Sequence, residues 1–116
     1  MKLTYLKHMR DHAVEALSFS RGRTRDDLDR DRMYLLATCR LLEMMGESAN
    51  QLPVGFRDST PGIPWKQLIG LRHRLVHAYD EINFDILWNI VTTSLPPIVV
   101  ALDALIGPST PDIVPP

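Results

Sequence analysis

The stretch LDRDRMYLLATCRLLEMMGESA, residues 28–49, indicates the fold class, because small and apolar residues repeat in it by sevens. The repeat consists of Leu28, Leu35, Leu42 and Ala49. This spacing predicts a long helix that packs lengthwise against a neighbour. Thr24 can cap the helix, with Asp26 and Asp27 in a first turn where carboxylates suit the helix dipole.

Helical spacing continues on both sides of this stretch. An apolar face predicts a first helix that ends at the turn Arg21-Gly22-Arg23. That face consists of Leu6, Met9, Ala13, Ala16 and Leu17. Prolines and glycines predict a loop over residues 53–64, and Pro64 suits the first position of a third helix.

The C-terminal part of the chain predicts two further helices and a tail. Asn83 can cap a fourth helix, Pro96-Pro97 should stop or bend it, and a short last helix should follow. Residues 107–116 contain four prolines and no periodicity. The sequence therefore predicts an all-α antiparallel bundle of four to five helices over residues 1–106, followed by a flexible tail.

Composition limits the classes of protein to which the chain can belong. Its 116 residues are 45% hydrophobic and 23% charged, which fits one globular domain. A net charge of -1 argues against a general nucleic-acid coat, so any RNA contact should be local. The single cysteine, Cys39, excludes an internal disulfide. With no signal-peptide pattern in residues 1–9 and no apolar run approaching about 18 residues, we expect a cytoplasmic protein with no membrane partner.

The segment Arg72-His73-Arg74-Leu75-Val76-His77-Ala78-Tyr79 carries the most chemistry. Arginine matches the geometry of a phosphate, histidine can move a proton near neutral pH, and the phenol is a hydroxyl that can be modified. Arg72 and His77 lie about 140° apart around a helix, so one helix alone would grip a phosphate poorly. Two copies across a two-fold axis could surround one, with Val76 as an apolar contact. The spacing thus predicts a homodimer.

The same residue types also have ordinary structural roles. An arginine such as Arg72 commonly pairs with a carboxylate, here Asp80 or Glu81. His73 and His77, like His8 and His12, are spaced for surface positions or for a metal pair, although no accompanying ligand set is evident. The basic turn is a solvated loop or a contact for RNA phosphates or an acidic partner. That turn consists of Arg21, Arg23 and Arg25.

Residues 63–79, from Ile63-Pro64-Trp65 to the motif, resemble the signature of the HepT-like family, small all-helical proteins of the HEPN superfamily. The family motif is an arginine, a polar residue, three more residues, a histidine, any residue and a tyrosine. Supporting similarity lies in residues 42–49, 88–96 and 22–28, and the resemblance covers roughly residues 2–106.

The resemblance implies the toxin of a toxin–antitoxin module, a metal-independent endoribonuclease without a cofactor. It implies catalytic roles for Arg72 and His77 and a supporting role for His73, where the family often has Asn or Asp. The partner would be an MntA-like nucleotidyltransferase antitoxin that transfers AMP to Tyr79. Arg74, with the basic turn, is a candidate contact for RNA or the partner.

Two other functions remain open at this stage. The chain could be a non-catalytic helical dimer that binds a nucleotidyltransferase or a nucleotide, since family membership does not guarantee activity. It could also be a metal-binding bundle that uses the paired histidines.

Overall fold

The computed structural model describes residues 2–77 and 83–107, and it describes their side chains except those of residues 72–77. Regular structure in these ranges is helical, which confirms the predicted all-α class. The elements are α1 (Lys2–Ser20), α2 (Asp27–Arg30), α3 (Arg32–Gln51), α4 (Val54–Asp58), α5 (Trp65–His77), α6 (Phe84–Asn89), a π-helix (Ile90–Ser94) and α7 (Leu95–Ile106). The predicted tail lies outside the described residues, apart from Gly107.

The core forms where α1 and α3 pack together, with α5 against α3 and α7 against α1. Helices α1 and α3 run antiparallel. Ser20 at the end of α1 shares a 2.6 Å hydrogen bond with Tyr34 near the start of α3, while Lys2 stacks over Phe56, beyond the end of α3. All four residues of the heptad repeat are buried, so the predicted lengthwise packing is confirmed.

The prediction that Thr24 caps one long second helix is wrong. The chain forms the short α2, breaks at Asp31 and starts again as α3. Asp31 is extended and its carboxylate accepts a hydrogen bond from the Tyr34 backbone N–H at 3.1 Å, which makes Asp31 the cap of α3. A local side-chain cap therefore overrides the continuous periodicity of the sequence.

The predicted loop over residues 53–64 contains the short helix α4, so the prediction was only partly correct. Pro53 precedes α4 with the extended backbone that a helix N-terminus requires. Pro64 immediately precedes α5, and its carbonyl accepts the Leu68 N–H at 3.1 Å. It is thus one position earlier than predicted.

The last helices follow one another without a break, so the predicted stop at Pro96-Pro97 is wrong. Asn83 caps α6 as predicted, since its side-chain oxygen accepts the backbone N–H groups of Asp85 and Ile86. The π-helix then precedes the two prolines, and its hydrogen bonds span one residue more than those of an α-helix, which makes its turn wider. A proline lacks an N–H and clashes with the carbonyl four residues earlier, so this wider turn accommodates both prolines inside the first turn of α7.

The helical stretch Phe84–Ile106 is long and apolar enough, by length and composition, to cross a membrane. The prediction that no apolar segment approaches the length of a membrane span is therefore wrong. Length and composition are weak support for a span, because core helices meet the same criteria. Here the buried stripe of the stretch belongs to the core, and the π-helix and α7 pack against α1. The stripe consists of Leu87, Val91, Leu95, Ile98 and Leu102.

Candidate functional site

Helix α5 is fixed at its beginning by a cluster around Trp65. The indole N–H of Trp65 donates to the Thr60 carbonyl at 3.0 Å, and its ring packs edge-on against Phe56 at 6.3 Å. Leu68 and Leu71 then bury their side chains in the core shared with α3. The part of α5 that precedes the motif is therefore held in place by contacts with the rest of the fold.

The motif starts directly after this anchored part. Arg72, His73, Arg74 and His77 all lie within the last two turns of α5, as the sequence predicted. Their backbone belongs to one continuous helix, so the angular separations of an α-helix apply to them. The structure does not describe the side chains of these four residues, and Tyr79 lies wholly outside the described residues.

A groove of about 490 Å³ runs along the first part of α5 and reaches Leu71, the residue before the motif. Residues of α5 form one wall, and α6, the π-helix and α7 form the other. Its lining is apolar or uncharged, with polar groups from Gln67, Asn89 and Ser94. Arg74 lies seven residues after Gln67, so it continues the groove side of α5 by about two turns. The sequence reading missed this groove because it depends on how helices far apart in the chain pack.

A buried carboxylate is the second feature that the sequence reading missed. Glu43 on α3 is only 7% exposed, and it accepts a hydrogen bond from Arg40 at 2.9 Å. Moving a carboxylate out of water is costly unless it is paired. A signal for its burial was present in the sequence, because Glu43 lies four residues after Cys39 and three before Gly46, both in the buried stripe.

The single cysteine is not activated. Burial, together with the smaller effect of the nearby Glu43 carboxylate, raises the pKa of the Cys39 thiol to about 11. A thiol with this pKa is almost entirely protonated at neutral pH, and the thiolate is the reactive form. Cys39 is therefore a core residue rather than a nucleophile.

Two arginines of the basic turn are engaged in contacts within the chain. Arg23 pairs with Asp31 at 2.8 Å and stacks over the Tyr34 ring. The pKa of the Asp31 carboxyl is lowered, first by the hydrogen bond from the Tyr34 backbone N–H and second by Arg23. These contacts of Asp31 stabilise the start of α3.

Arg25 connects the basic turn to the segment that follows the motif. It pairs with Asp29 at 2.7 Å and with Asp85 at the start of α6, and it stacks over the Phe84 ring. Asp85 and Asp29 together raise the pKa of the Arg25 guanidinium. Arg21 is exposed, so of the three arginines it is the most open to a partner.

The histidine pair on α1 does not form a metal site with other described residues. The rings of His8 and His12 are 6.3 Å apart, and the buried Nδ1 of His12 has no hydrogen-bond partner. Among the side chains described, no group of three His, Cys, Asp or Glu residues is arranged to hold a metal ion. The pair His73 and His77 lies outside those side chains.

Comparison of the sequence with known proteins identifies the family. The sequence profile described as "HepT-like: Ribonuclease HepT-like" matches residues 9–105, which includes every helix from α2 to α6 and the motif. The chain belongs to the HepT-like family. The resemblance predicted from residues 63–79 is thereby confirmed.

Individual relatives agree with this assignment. The chain is similar to "Putative RNase MJ0127" of Methanocaldococcus jannaschii, at 33% identity over 79% of this chain and 76% of the relative. It is also similar to "Probable ribonuclease HepT" of Thermococcus cleftensis, at 30% identity over 83% of this chain and 90% of the relative. No solved structure matches the chain significantly.

Proposed function

We propose that this HepT-like protein is an endoribonuclease, the toxin of a toxin–antitoxin module. The family match over residues 9–105 carries the proposal, because it spans the Arg72–Tyr79 motif, and both relatives described above bear ribonuclease names. The proposed catalytic unit is one helical-bundle domain over residues 1–106, acting in the cytoplasm on RNA.

The proposed reaction uses the nucleophile that RNA itself carries. The 2′-hydroxyl attacks the adjacent phosphorus, a bond forms between O2′ and phosphorus, and the bond to O5′ breaks. His77 accepts the O2′ proton or supplies the proton that O5′ needs. Arg72 binds the phosphate and stabilises the charge that develops on its oxygens, while His73 supports the motif. The products are a 2′,3′-cyclic phosphate and a 5′-hydroxyl, formed without a metal ion.

A two-fold dimer fits this reaction better than a single chain. A proton must leave O2′ and another must reach O5′, on opposite sides of the phosphorus. Arg72 and His77 occupy positions about 140° apart around one helix, so two facing copies of α5 would supply one histidine for each proton transfer. The groove along α5, which reaches Leu71, would give the RNA strand a path towards the motif.

Silencing is proposed to occur at Tyr79. A cognate MntA-like nucleotidyltransferase would transfer AMP to the phenol oxygen, with pyrophosphate as the leaving group from ATP. The new phosphodiester would add negative charge and bulk seven residues after Arg72 in the sequence. It would compete for the cation and exclude RNA.

We expect Tyr79→Phe to remain toxic in the presence of its partner transferase. Phenylalanine keeps the ring and removes only the acceptor oxygen. Growth of cells that co-express each variant with the transferase measures the effect, and the wild-type pair should grow normally. Mass spectrometry of the co-expressed wild-type protein should find one or more added AMP units on Tyr79.

The mass measurement is decisive, because the hydroxyl can also help to position RNA. Tyr5→Phe on α1 is the control, and it should leave both toxicity and silencing unchanged. If wild-type Tyr79 stays unmodified beside an active cognate transferase, neutralisation works by sequestration and the AMP proposal fails.

A further inference from the structure

The groove along α5 is lined by groups that suit an uncharged ligand. Its volume of about 490 Å³ falls within the range of about 300–1,000 Å³ that is usual for small-molecule sites. Leu68 and Leu71 give α5 an apolar wall, and three isoleucines give the opposite wall the same character: Ile86, Ile90 and Ile98. None of the described residues in this lining carries a charge. A phosphate would therefore meet no cation in the lining, whereas the two faces of a flat ring would lie against carbon.

The α5 wall contains a glycine inside a helix. Gly70 lines the groove, and no atom of the described residues lies within 4 Å of the place where a Cβ would be. Glycine destabilises a helix relative to alanine, and packing against the described residues does not require it here. Glycine is typical of places where a ligand approaches the backbone closely. Gly70 therefore indicates that a ligand can approach α5 from the groove.

The opposite wall contains the π-helix, which brings two polar side chains to the same side. Asn89 directly precedes the π-helix and Ser94 ends it, and both line the groove. An α-helix would separate residues at this spacing of five by about 140° around its axis. The hydrogen bonds of a π-helix span five residues, so the two side chains lie on one side, and such turns occur frequently at functional sites. The π-helix thus shapes the groove as well as accommodating the two prolines.

The polar groups of the groove match one nucleobase better than the others. Gln67 on α5 joins Asn89 and Ser94, and none of these three side chains hydrogen-bonds to another residue in the described part of the chain. An amide places a donor and an acceptor next to each other. Asn and Gln pair with adenine through its N6 and N7 atoms, whereas guanine is usually bound by Arg or Lys and cytosine by a carboxylate. Two amides in an uncharged lining therefore favour adenine.

We propose that the groove binds one unpaired adenine of the RNA strand, an inference that rests on the proposed function. Proteins that read RNA sequence bind mainly unpaired bases, whose faces and edges are accessible. The adenine ring lies between the apolar walls, and its edge hydrogen-bonds with Asn89 and Gln67, while Ser94 supplies a hydroxyl. The groove reaches Leu71, the residue before the motif, so a base bound there directs the adjoining phosphates towards the motif. The polar residues of the groove determine specificity and touch no reacting atom.

The first test measures binding without cleavage. Deoxyoligonucleotides lack the 2′-hydroxyl and cannot be cut by the proposed reaction. A run of thymines with one central adenine should bind at least about tenfold more tightly than thymines alone. In NMR spectra it should also move the side-chain amide signals of Gln67 and Asn89, but not that of Asn50, an exposed amide on α3. Equal affinity for the two strands, or groove signals that do not move, would overturn the proposal. Preferential binding of the adenine strand by a protein that cuts no RNA would keep the adenine site and reject the ribonuclease.

The second test alters the groove and uses matched control variants. Asn89→Ala should lower the affinity for the adenine strand by about tenfold and leave that for the thymine strand unchanged. Asn50→Ala should change neither affinity. Gly70→Leu fills the groove and should also remove the preference for adenine, whereas Gly55→Leu on α4, where a Cβ likewise meets no described atom, should not. An adenine preference that survives both Asn89→Ala and Gly70→Leu would contradict the proposal.

Sedimentation separates a base-binding groove from a protein interface. A bound base does not hold two copies of the chain together, so Gly70→Leu should sediment as the wild type does. Conversion of a wild-type dimer into a monomer by Gly70→Leu would assign the groove to an interface between copies and overturn the adenine site.

Discussion

His77→Ala should lose RNA cleavage and toxicity while its helical content stays unchanged. A positioned general acid or base contributes about 10²–10⁴ in rate, and in a two-fold dimer the substitution removes both proton-transfer groups at once. The measurement is cleavage of single-stranded RNA by purified protein, with circular dichroism to verify folding.

Arg72→Ala should have nearly the same effect, a loss of about 10²–10³ in the cleavage rate, because it removes the group that stabilises the developing charge.

His8→Ala is the matched control for His77→Ala, since His8 is an exposed helical histidine far from the motif in sequence. Full activity of His77→Ala would remove His77 from the mechanism. Equal losses in His8→Ala would indicate a general effect of histidine removal.

Leu102→Ala should lower the free energy of unfolding by about 2–5 kcal/mol. Leu102 is completely buried in α7, so truncation removes apolar burial and leaves a cavity. Because small domains are stable by only about 5–15 kcal/mol, this one change removes a large share of the stability. Urea unfolding measures the loss.

Leu105→Ala is the control on the same helix, because Leu105 is 37% exposed. It should cost less than about 1 kcal/mol. This pair also tests whether Phe84–Ile106 is a core helix in water. Equal, small losses at Leu102 and Leu105 would mean that the buried stripe of this stretch does not stabilise the fold.

The all-α class and the buried faces were predictable because they depend on local periodicity. Asn83 was recognisable as a cap for the same reason, since its hydrogen bonds reach only two and three residues ahead. The interruption of the helix at Asp31 was missed, although aspartate is a common N-cap residue. The heptad repeat of buried residues continues across Asp31, so the repeat alone predicts one uninterrupted helix.

The continuity through Pro96-Pro97 was missed for a different reason. A proline pair usually interrupts a helix, and the π-helix that accommodates it has no simple sequence pattern. For the site, the resemblance of residues 63–79 predicted the family, and the roles of the individual motif residues stay predictions. The groove was not predicted, because it is produced by contacts between helices that are distant in sequence. The burial of Glu43 was missed although its spacing from Cys39 and Gly46 indicated it.

The central claim is that this chain cuts RNA with its own side chains. The most direct measurement incubates the purified protein with a defined single-stranded RNA in EDTA and determines the product ends by mass spectrometry. The account predicts 2′,3′-cyclic phosphate and 5′-hydroxyl ends, and no cut where the nucleotide 5′ to the cleavage site is a 2′-deoxynucleotide. Cleavage that EDTA stops and a divalent metal restores, or cleavage that persists at the 2′-deoxy position, would contradict it.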